Sequence, residues 1–126
     1  AIGLAHLSDF DILFKKRADI VKIYRQELQS VSGVTLFENR SDRTSGNHLF
    51  TIHVENRNDF CKMMRAEGIE VSIVHMRNDI YSVFGGKRDD LPVLGEFTET
   101  NISIPLHNRL TDEDIEKIIK SIRKGW

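Results

Sequence analysis

The chain has 126 residues, of which 40% are apolar and 29% are charged, and its formal net charge at pH 7 is −1. This size and composition predict a single globular domain, 1–126, with one hydrophobic core. The near-zero net charge disfavours a general polyanion binder, so we expect no nucleic-acid partner. No apolar run approaches the roughly 20 residues of a membrane helix, so we expect no membrane partner and a cytoplasmic location.

The N-terminal region carries apolar residues at spacings of three and four, which predicts one long amphipathic helix over 1–30. Gly33 favours a stop after it, because glycine tolerates the left-handed conformation that ends many helices. A short strand is predicted over 34–37, and the polar stretch 38–47 is typical of a loop.

The next region combines a strand with a short helix. Residues 48–54 are rich in β-branched and aromatic side chains, which favour a strand. Asn58 is expected to cap a helix over 59–67, and Gly68 is expected to end it.

A further strand is predicted over 69–75, where alternation places Val71, Ile73 and His75 on one face. The regular pattern then dissolves over 76–99. Long loops in compact domains are usually functional or disordered, and the apolar residues in this one argue against simple disorder.

The last part of the chain predicts a strand over 101–104, ended by Pro105, and a C-terminal helix. Thr111 is the predicted N-cap of that helix, and Asp114 completes an acidic variant of the capping box. The order of elements predicts an α+β, two-layer α/β fold. We expect a small, mainly antiparallel sheet of three or four strands with helices on one face.

The sequence contains no complete catalytic set. Its histidines lack the spacing and the cysteine or HExxH company of metal ligands, so no metal site is predicted. The pair Gly85-Gly86 lacks the context of a phosphate-binding loop and is typical of a turn. No serine elbow or cysteine-histidine pair is present, so no catalytic residue is assigned.

Polar side chains follow the strand predicted over 69–75, and they are the candidate ligand contacts: His75, Arg77, Asn78 and Tyr81. The end of a strand that feeds a long loop is a common place for a binding site. The same residues are equally typical of a solvated surface loop, and His75 of a hydrogen-bonded, semi-buried position. Both alternatives stay open at this point.

Three stretches, taken in chain order, resemble aminotransferases of the DegT/StrS type. AIGLAHL at 1–7 resembles the "AAIGLAQL" helix that leads from the large to the small domain, with His6 in place of Gln. GIEVSIVH at 68–75 is similar to the strand that runs from a Gly-Ile pair to a His. The segments IPLH at 104–107 and LTDEDI at 110–115 resemble the "LPLH…LTDEDI" ending of the family.

Two further segments refine this resemblance. HLF at 48–50 is similar to the family's "HL(Y/F)" strand. The segment HMRNDIYSVFGG at 75–86 departs from the commoner "HY-x-P-x-H" wording and resembles a subgroup form, so the sugar is left open.

The resemblance implies the small C-terminal domain of a fold-type-I, PLP-dependent enzyme similar to perosamine synthase. Such an enzyme moves an amino group, usually from glutamate, onto a nucleotide-linked keto-deoxysugar in surface polysaccharide or deoxysugar biosynthesis. The chemistry requires a Schiff-base lysine and a carboxylate at the pyridinium nitrogen, and both lie in the family's large N-terminal domain. The resemblance therefore implies that this segment alone binds no PLP and is inactive.

The resemblance also implies partners and a division of the domain. The implied partners are the large N-terminal domain, a second subunit in a homodimer, and the nucleotide-sugar substrate. Residues 1–30 become a linking or interface helix and 34–126 an α/β sandwich, and the candidate contacts His75, Arg77, Asn78 and Tyr81 face the substrate. The competing hypothesis is a free-standing small-ligand-binding or regulatory interaction module. A PLP-dependent dehydratase as the parent also stays open.

Overall fold

The computed structural model describes residues 2–126. Its three strands form one antiparallel sheet in the order β1-β2-β3, so the predicted α+β class with a small antiparallel sheet is confirmed. The elements in chain order are α1 (Ile2–Leu7), α2 (Phe10–Leu28), β1 (Val34–Leu36), β2 (Phe50–Val54), α3 (Arg57–Ala66), α4 (Pro92–Thr100), β3 (Asn101–Ile104) and α5 (Asp112–Lys124). Two 3-10 turns, Asn78–Ile80 and Ser82–Phe84, lie between α3 and α4.

The central strand β2 organises the sheet because both of its edges are paired. It runs antiparallel to β1 on one side and to β3 on the other, and Ile52 lies opposite both Leu36 and Ile102. Phe50, Ile52 and Val54 are buried, whereas the residues between them are half-buried and point to the opposite face. The sheet therefore has an inner face that forms the core and an outer face that is also partly covered.

Helices α2, α3 and α5 cover the inner face with apolar side chains at helical spacing. Their buried hydrophobic residues are Ile20, Tyr24 and Leu28 in α2, Phe60 and Met64 in α3, and Ile115, Ile118, Ile119 and Ile122 in α5. Burying one large apolar side chain contributes about 1.5–3 kcal/mol relative to leaving it exposed. The single core predicted from the size of the chain is built on these contacts.

Tyr24 joins α2 to the segment between β3 and α5. Its side chain is fully buried, and its ring centroid lies 5.1 Å from that of Phe50. Its hydroxyl donates a hydrogen bond of 2.9 Å to the main-chain oxygen of Pro105. Burial, and after it the negative charge of Asp114, raise the pKa of the Tyr24 hydroxyl, so the group stays protonated and able to donate.

The start of α5 has the predicted capping box. The Thr111 hydroxyl accepts a hydrogen bond from the Asp114 N–H at 3.2 Å, and the Asp114 carboxylate accepts one from the Thr111 N–H at 3.0 Å. Hydrogen bonding of the Asp114 carboxylate with the main-chain N–H of Thr111, and after it with the Thr111 hydroxyl, lowers the pKa of the Asp114 carboxyl. The reciprocal bonds fix the first residue of α5 as Asp112.

Trp126 packs back onto the sheet and α3. Its indole N–H donates to the main-chain oxygen of Glu55 at 2.7 Å, and its ring meets Phe60 edge-on at 4.9 Å between centroids. The ring also lies over Gly33, where an added Cβ would approach it to 3.2 Å. Gly33 has a φ of +77°, so both the backbone and the space favour glycine there.

The strands predicted over 34–37, 48–54 and 101–104 are confirmed, the first two in a shorter form. The long N-terminal helix predicted over 1–30 is confirmed in a shorter form: a turn at Ser8 and Asp9 separates α1 from α2, and α2 ends at Leu28. Both turn residues carry short polar side chains that compete with helical hydrogen bonding. Ala1 lies outside the described residues.

The predicted cap of α3 is wrong. The helix begins at Arg57 rather than 59, and the capping position is Asn56, which has a left-handed φ of +47° and forms no side-chain cap. Asparagine tolerates the left-handed conformation better than most residues, so the chain can turn at Asn56 as it enters α3. Gly68, with a φ of +72°, follows the helix as predicted.

The strand predicted over 69–75 is wrong except at one residue. Ser72 forms an isolated antiparallel bridge with Ser103, through hydrogen bonds of 3.1 and 2.8 Å in the two directions. The apolar alternation is still visible, since Ile69 is buried and Val71 and Ile73 are half-buried. The segment therefore runs beside β3 without becoming a fourth strand.

Replacing Tyr24 with Phe removes one buried hydrogen bond and leaves the Pro105 oxygen without its donor. We expect the free energy of unfolding to fall by about 1 kcal/mol, the usual net contribution of such a bond. Urea denaturation followed by circular dichroism measures the change. Tyr81→Phe is the matched control, because Tyr81 is exposed, and we expect it to change the stability by less than about 0.5 kcal/mol. Equal effects of the two variants would contradict the assignment.

Candidate functional site

The four candidate contacts lie between Ser72, which bridges to β3, and the start of helix α4. They differ in exposure. His75, Asn78 and Tyr81 are exposed, whereas Arg77 is only 6% exposed. His75 is thus a surface residue rather than the semi-buried one that strand alternation had allowed. The structure leaves three of the four side chains accessible to a ligand and encloses the fourth.

The buried Arg77 is held by an ion pair with Asp79. Its guanidinium donates through Nε and one terminal nitrogen to the two carboxylate oxygens of Asp79, and the same terminal nitrogen donates to the main-chain oxygen of Arg88 at 2.9 Å. The main-chain N–H of Arg88 donates in turn to Asp79 at 2.9 Å. The guanidinium that was expected to face the nucleotide-sugar substrate is therefore bound within the protein.

This arrangement perturbs both ionisable groups. The hydrogen bond from Arg77, and after it the Arg88 N–H, hold the pKa of the Asp79 carboxyl well below its usual range. The bond to Asp79 raises the pKa of Arg77. Arg77 and Asp79 are therefore both charged at neutral pH.

The same segment exposes several large apolar side chains. They are Val74, Met76, Ile80, Tyr81, Val83 and Phe84, and most belong to the two 3-10 turns or precede them. Exposed apolar clusters of this kind usually mark an interaction site or a groove for a ligand. Hydrogen-bonding and apolar groups thus occur together on one segment.

Helix α4 covers the outer face of the sheet, whereas the sequence predicted no helix here and helices on one face only. The ring of Phe97 lies 6.0 Å from that of Phe37 and 5.4 Å from that of His53, which stands on the outer face of β2. Pro92 occupies the start of the helix, a position that proline favours because its fixed φ suits the first turn. That pattern was visible in the sequence and would have predicted the helix.

Two polar contacts hold the C-terminal end of α4 against β2 and α3. His53 Nδ1 lies 2.7 Å from the Thr100 hydroxyl, which itself donates to the main-chain oxygen of Glu96 at 2.8 Å. Arg57 of α3 donates to the main-chain oxygen of Thr98, a carbonyl of the last turn of α4. A cation at the C-terminal end of a helix also suits the helix dipole.

A separate cleft of about 820 Å³ lies between α2 and the segment 37–51, away from the candidate contacts. Its lining includes the basic residues Lys22, Arg25, Arg40 and Arg43. Both terminal nitrogens of Arg25 donate hydrogen bonds of 3.0 Å to the main-chain oxygen of Phe37, and Arg43 pairs with Asp42. Arg40 also pairs with Asp42, so three of the four cations are already engaged within the chain.

Two searches of the described residues gave negative results. Within 2–126, no three His, Cys, Asp or Glu side chains gather closely enough to hold a metal ion. Over the same range, no helix has the combination of length and apolar character needed to cross a bilayer.

Comparison with known proteins matches residues 1–123 to the model of the DegT/DnrJ/EryC1/StrS aminotransferase family. The crystal structure of the sugar aminotransferase CalS13 from Micromonospora echinospora superimposes with a TM-score of 0.93 and 30% identity, over 99% of this chain and 34% of that chain. EryC1 of Saccharopolyspora erythraea, an erythromycin biosynthesis sensory transduction protein, is 26% identical over 98% of this chain and 34% of its own length.

A third relative is the spore coat polysaccharide biosynthesis protein SpsC of Bacillus subtilis. It is 25% identical over 98% of this chain and 34% of its own length. The chain thus spans about a third of the relatives that it matches.

The hydrogen bonds of Thr100 predict the tautomer of His53. Because the hydroxyl proton of Thr100 is donated to the main-chain oxygen of Glu96, the Thr100 oxygen must accept a hydrogen bond from His53 Nδ1–H. We expect neutral His53 to carry its proton on Nδ1, as measured by long-range proton–nitrogen NMR of the imidazole. Thr100→Val removes the acceptor and should abolish the preference. A wild-type ring protonated on Nε2 would contradict the assignment.

The lowered pKa of Asp79 predicts how the segment responds to acid. Because the folded value is depressed, the stabilisation by this pair is fully present above the unfolded value of about 3.9 and is lost as the pH falls below it. We expect carboxyl-carbon NMR to show Asp79 still ionised at about pH 3.5, whereas in Arg77→Gln its midpoint should rise towards the usual value. A wild-type midpoint at or above the usual value would contradict the ion pair.

Proposed function

Because this chain belongs to the DegT/DnrJ/EryC1/StrS aminotransferase family, we propose that it is the C-terminal small domain of a PLP-dependent sugar aminotransferase. The observation that carries this proposal is the family match over residues 1–123, nearly the whole chain. The fold similarity to the sugar aminotransferase CalS13 supports it. The remaining two-thirds of such a protein would be the large N-terminal domain.

The cofactor lysine belongs to that large domain under this proposal. A PLP lysine must reach the cofactor in a cleft and must be able to lose its proton there. All eight lysines of the chain lie within 2–126, and each is exposed: Lys15, Lys16, Lys22, Lys62, Lys87, Lys117, Lys120 and Lys124. The residues present do not fit a PLP site, so we derive no catalytic step within this domain.

The substrate proposed for the whole enzyme is a nucleotide-linked keto-deoxysugar, with glutamate as the amino donor. His75, Asn78 and Tyr81 are the proposed contacts, because each is exposed and can form hydrogen bonds with sugar hydroxyls or phosphate oxygens. The neighbouring Val83 and Phe84 supply exposed apolar surface beside them. Such a mixture of a few polar groups with apolar surface is typical of ligand clefts.

The N-terminal helices are the proposed interface with the rest of the enzyme. Leu4, Leu7, Phe10 and Ile12 are all at least half exposed, the largest fraction being 75% at Leu4. Apolar side chains so close together favour burial against the large domain or the second subunit of a homodimer. We place the enzyme in the cytoplasm, in polysaccharide or deoxysugar biosynthesis.

The first test is PLP binding by the full-length protein and by this chain alone. We expect the full-length protein to show the visible absorbance band of a lysine Schiff base, fixed by borohydride, and to transfer an amino group from glutamate to a nucleotide-linked keto sugar. The isolated chain should show only free cofactor. A stoichiometric, borohydride-fixed adduct on the isolated chain would overturn the assignment of the cofactor lysine to the other domain.

Steady-state kinetics of the full-length enzyme then tests the contacts. His75→Ala should raise KM for the nucleotide sugar by up to about tenfold, the equivalent of one lost hydrogen bond to a ligand. Its KM for glutamate should stay unchanged. Lys117→Ala, which removes an exposed side chain of α5, is the control. Equal KM values for the His75 variant and the wild type would remove His75 from the site.

A further inference from the structure

We propose that Arg77 is a positioning residue: its ion pair with Asp79 closes the segment 77–88 into an ordered loop that presents its exposed side chains to the substrate. The substrate in this statement rests on the proposed function, whereas the ordering of the loop does not. We call the set formed by Arg77, Asp79 and the main chain of Arg88 the clasp.

The clasp joins two points that are far apart along the chain. Arg77 reaches the Arg88 oxygen across 11 positions, and Asp79 accepts from the Arg88 N–H across nine. Both carboxylate oxygens of Asp79 are used by the Arg77 guanidinium, and one of them also takes the Arg88 N–H. These bonds make one closed network at the base of the loop.

The clasp is also fixed to the body of the domain. A Cβ added at Gly95 of α4 would lie 3.9 Å from a terminal nitrogen of Arg77, so the guanidinium rests against that helix. Helix α4 is held to β2 by the bond between His53 and Thr100 and by the ring contact of Phe97. A continuous set of contacts therefore connects the central strand to the loop.

The loop between the two ends of the clasp carries two of the three exposed candidate contacts, and His75 precedes it. Asn78 and Tyr81 lie within it, together with Val83 and Phe84, and all four are exposed. The two 3-10 turns give it local hydrogen bonds but little buried surface of its own. A loop of this kind binds more tightly when it is ordered in advance, because the entropy of ordering is not lost on binding.

The electrostatics argue against Arg77 as a direct phosphate ligand. The side chains of Arg77 and Asp79 are 5% and 11% exposed, so the pair is largely enclosed. To bind a diphosphate, the guanidinium would have to leave Asp79 and strand a carboxylate in that enclosed position. An unpaired buried charge is far more costly than an exposed one.

The two roles of Arg77 predict opposite effects of Asp79→Asn in the full-length enzyme. If Arg77 bound phosphate directly, removing its counter-charge would free it and lower KM for the nucleotide sugar. If the clasp positions the loop, the same variant should raise that KM by roughly fivefold or more, with kcat at saturating sugar changed by less than about twofold. Asp90→Asn is the matched control, because the pair of Asp90 with Arg88 is exposed and should contribute little.

Hydrogen exchange of the full-length protein measures the ordering without any activity. We expect Asp79→Asn to speed exchange at the Arg88 amide and within the loop at least about tenfold, and Asp90→Asn to leave it near wild type. Arg77→Lys should act in the same direction, because lysine lacks the two-pronged geometry. Circular dichroism of each variant confirms that the rest of the protein stays folded.

The outcomes separate this inference from the proposed function. Unchanged exchange in Asp79→Asn, a lowered KM, or faster exchange with an unchanged KM would each overturn the positioning role. A wild-type enzyme that aminates no nucleotide sugar would overturn the proposed function, and the exchange result would then decide the clasp by itself. Faster exchange together with a raised KM supports both.

Discussion

The burial of β2 on both faces is the constraint on which the rest of the domain depends. Its inner face carries Phe50, Ile52 and Val54 into the core, and its outer face carries His53 beneath α4. A strand with a half-polar outer face would normally face water. Here the imidazole of His53 provides both an aromatic surface for Phe97 and a hydrogen bond for Thr100. These two interactions hold the short helix α4, which has little apolar surface to bury against the sheet.

The outer layer has a different character from the inner one. The core side is held by large apolar side chains from three helices. Helix α4 is held by the ring contacts of Phe97 and by the hydrogen bonds that His53 and Arg57 form with its last turn. Interactions of the second kind are individually weak and depend on geometry. The segment that carries the candidate contacts is therefore attached through the less robust layer, which is common for parts of proteins that meet ligands.

The sequence predicted what local rules decide. Thr111 and Asp114 lie three residues apart, so the capping box follows from spacing alone, and the β-branched and aromatic content was sufficient for β2. It did not predict that Ser72 alone would bridge to Ser103, because the pairing of an edge depends on the path of a distant segment. The burial of Arg77 likewise depends on Arg88 and Gly95, which approach it only in the folded chain.

Under the proposed function, the family relationship accounts for candidate contacts on a chain whose sequence has no complete catalytic set. Its relatives are about three times as long, and this domain matches about a third of each. A site shared between domains can divide its tasks, so that one domain carries the chemistry and the other shapes the cleft. Such a division makes the exposed surface of the small domain informative, because residues that serve no local packing are free to serve the shared site.

The position of Trp126 gives the domain a built-in optical reporter. It is the only tryptophan in the sequence, and its indole touches Phe60 of α3, Gly33 before β1 and the Glu55 oxygen after β2. Indole emission depends on the polarity around the ring. The wavelength of the Trp126 emission maximum therefore reports on the packing of Trp126 against α3, Gly33 and Glu55. If this packing loosens, the emission maximum should shift to longer wavelength even while the helices stay intact.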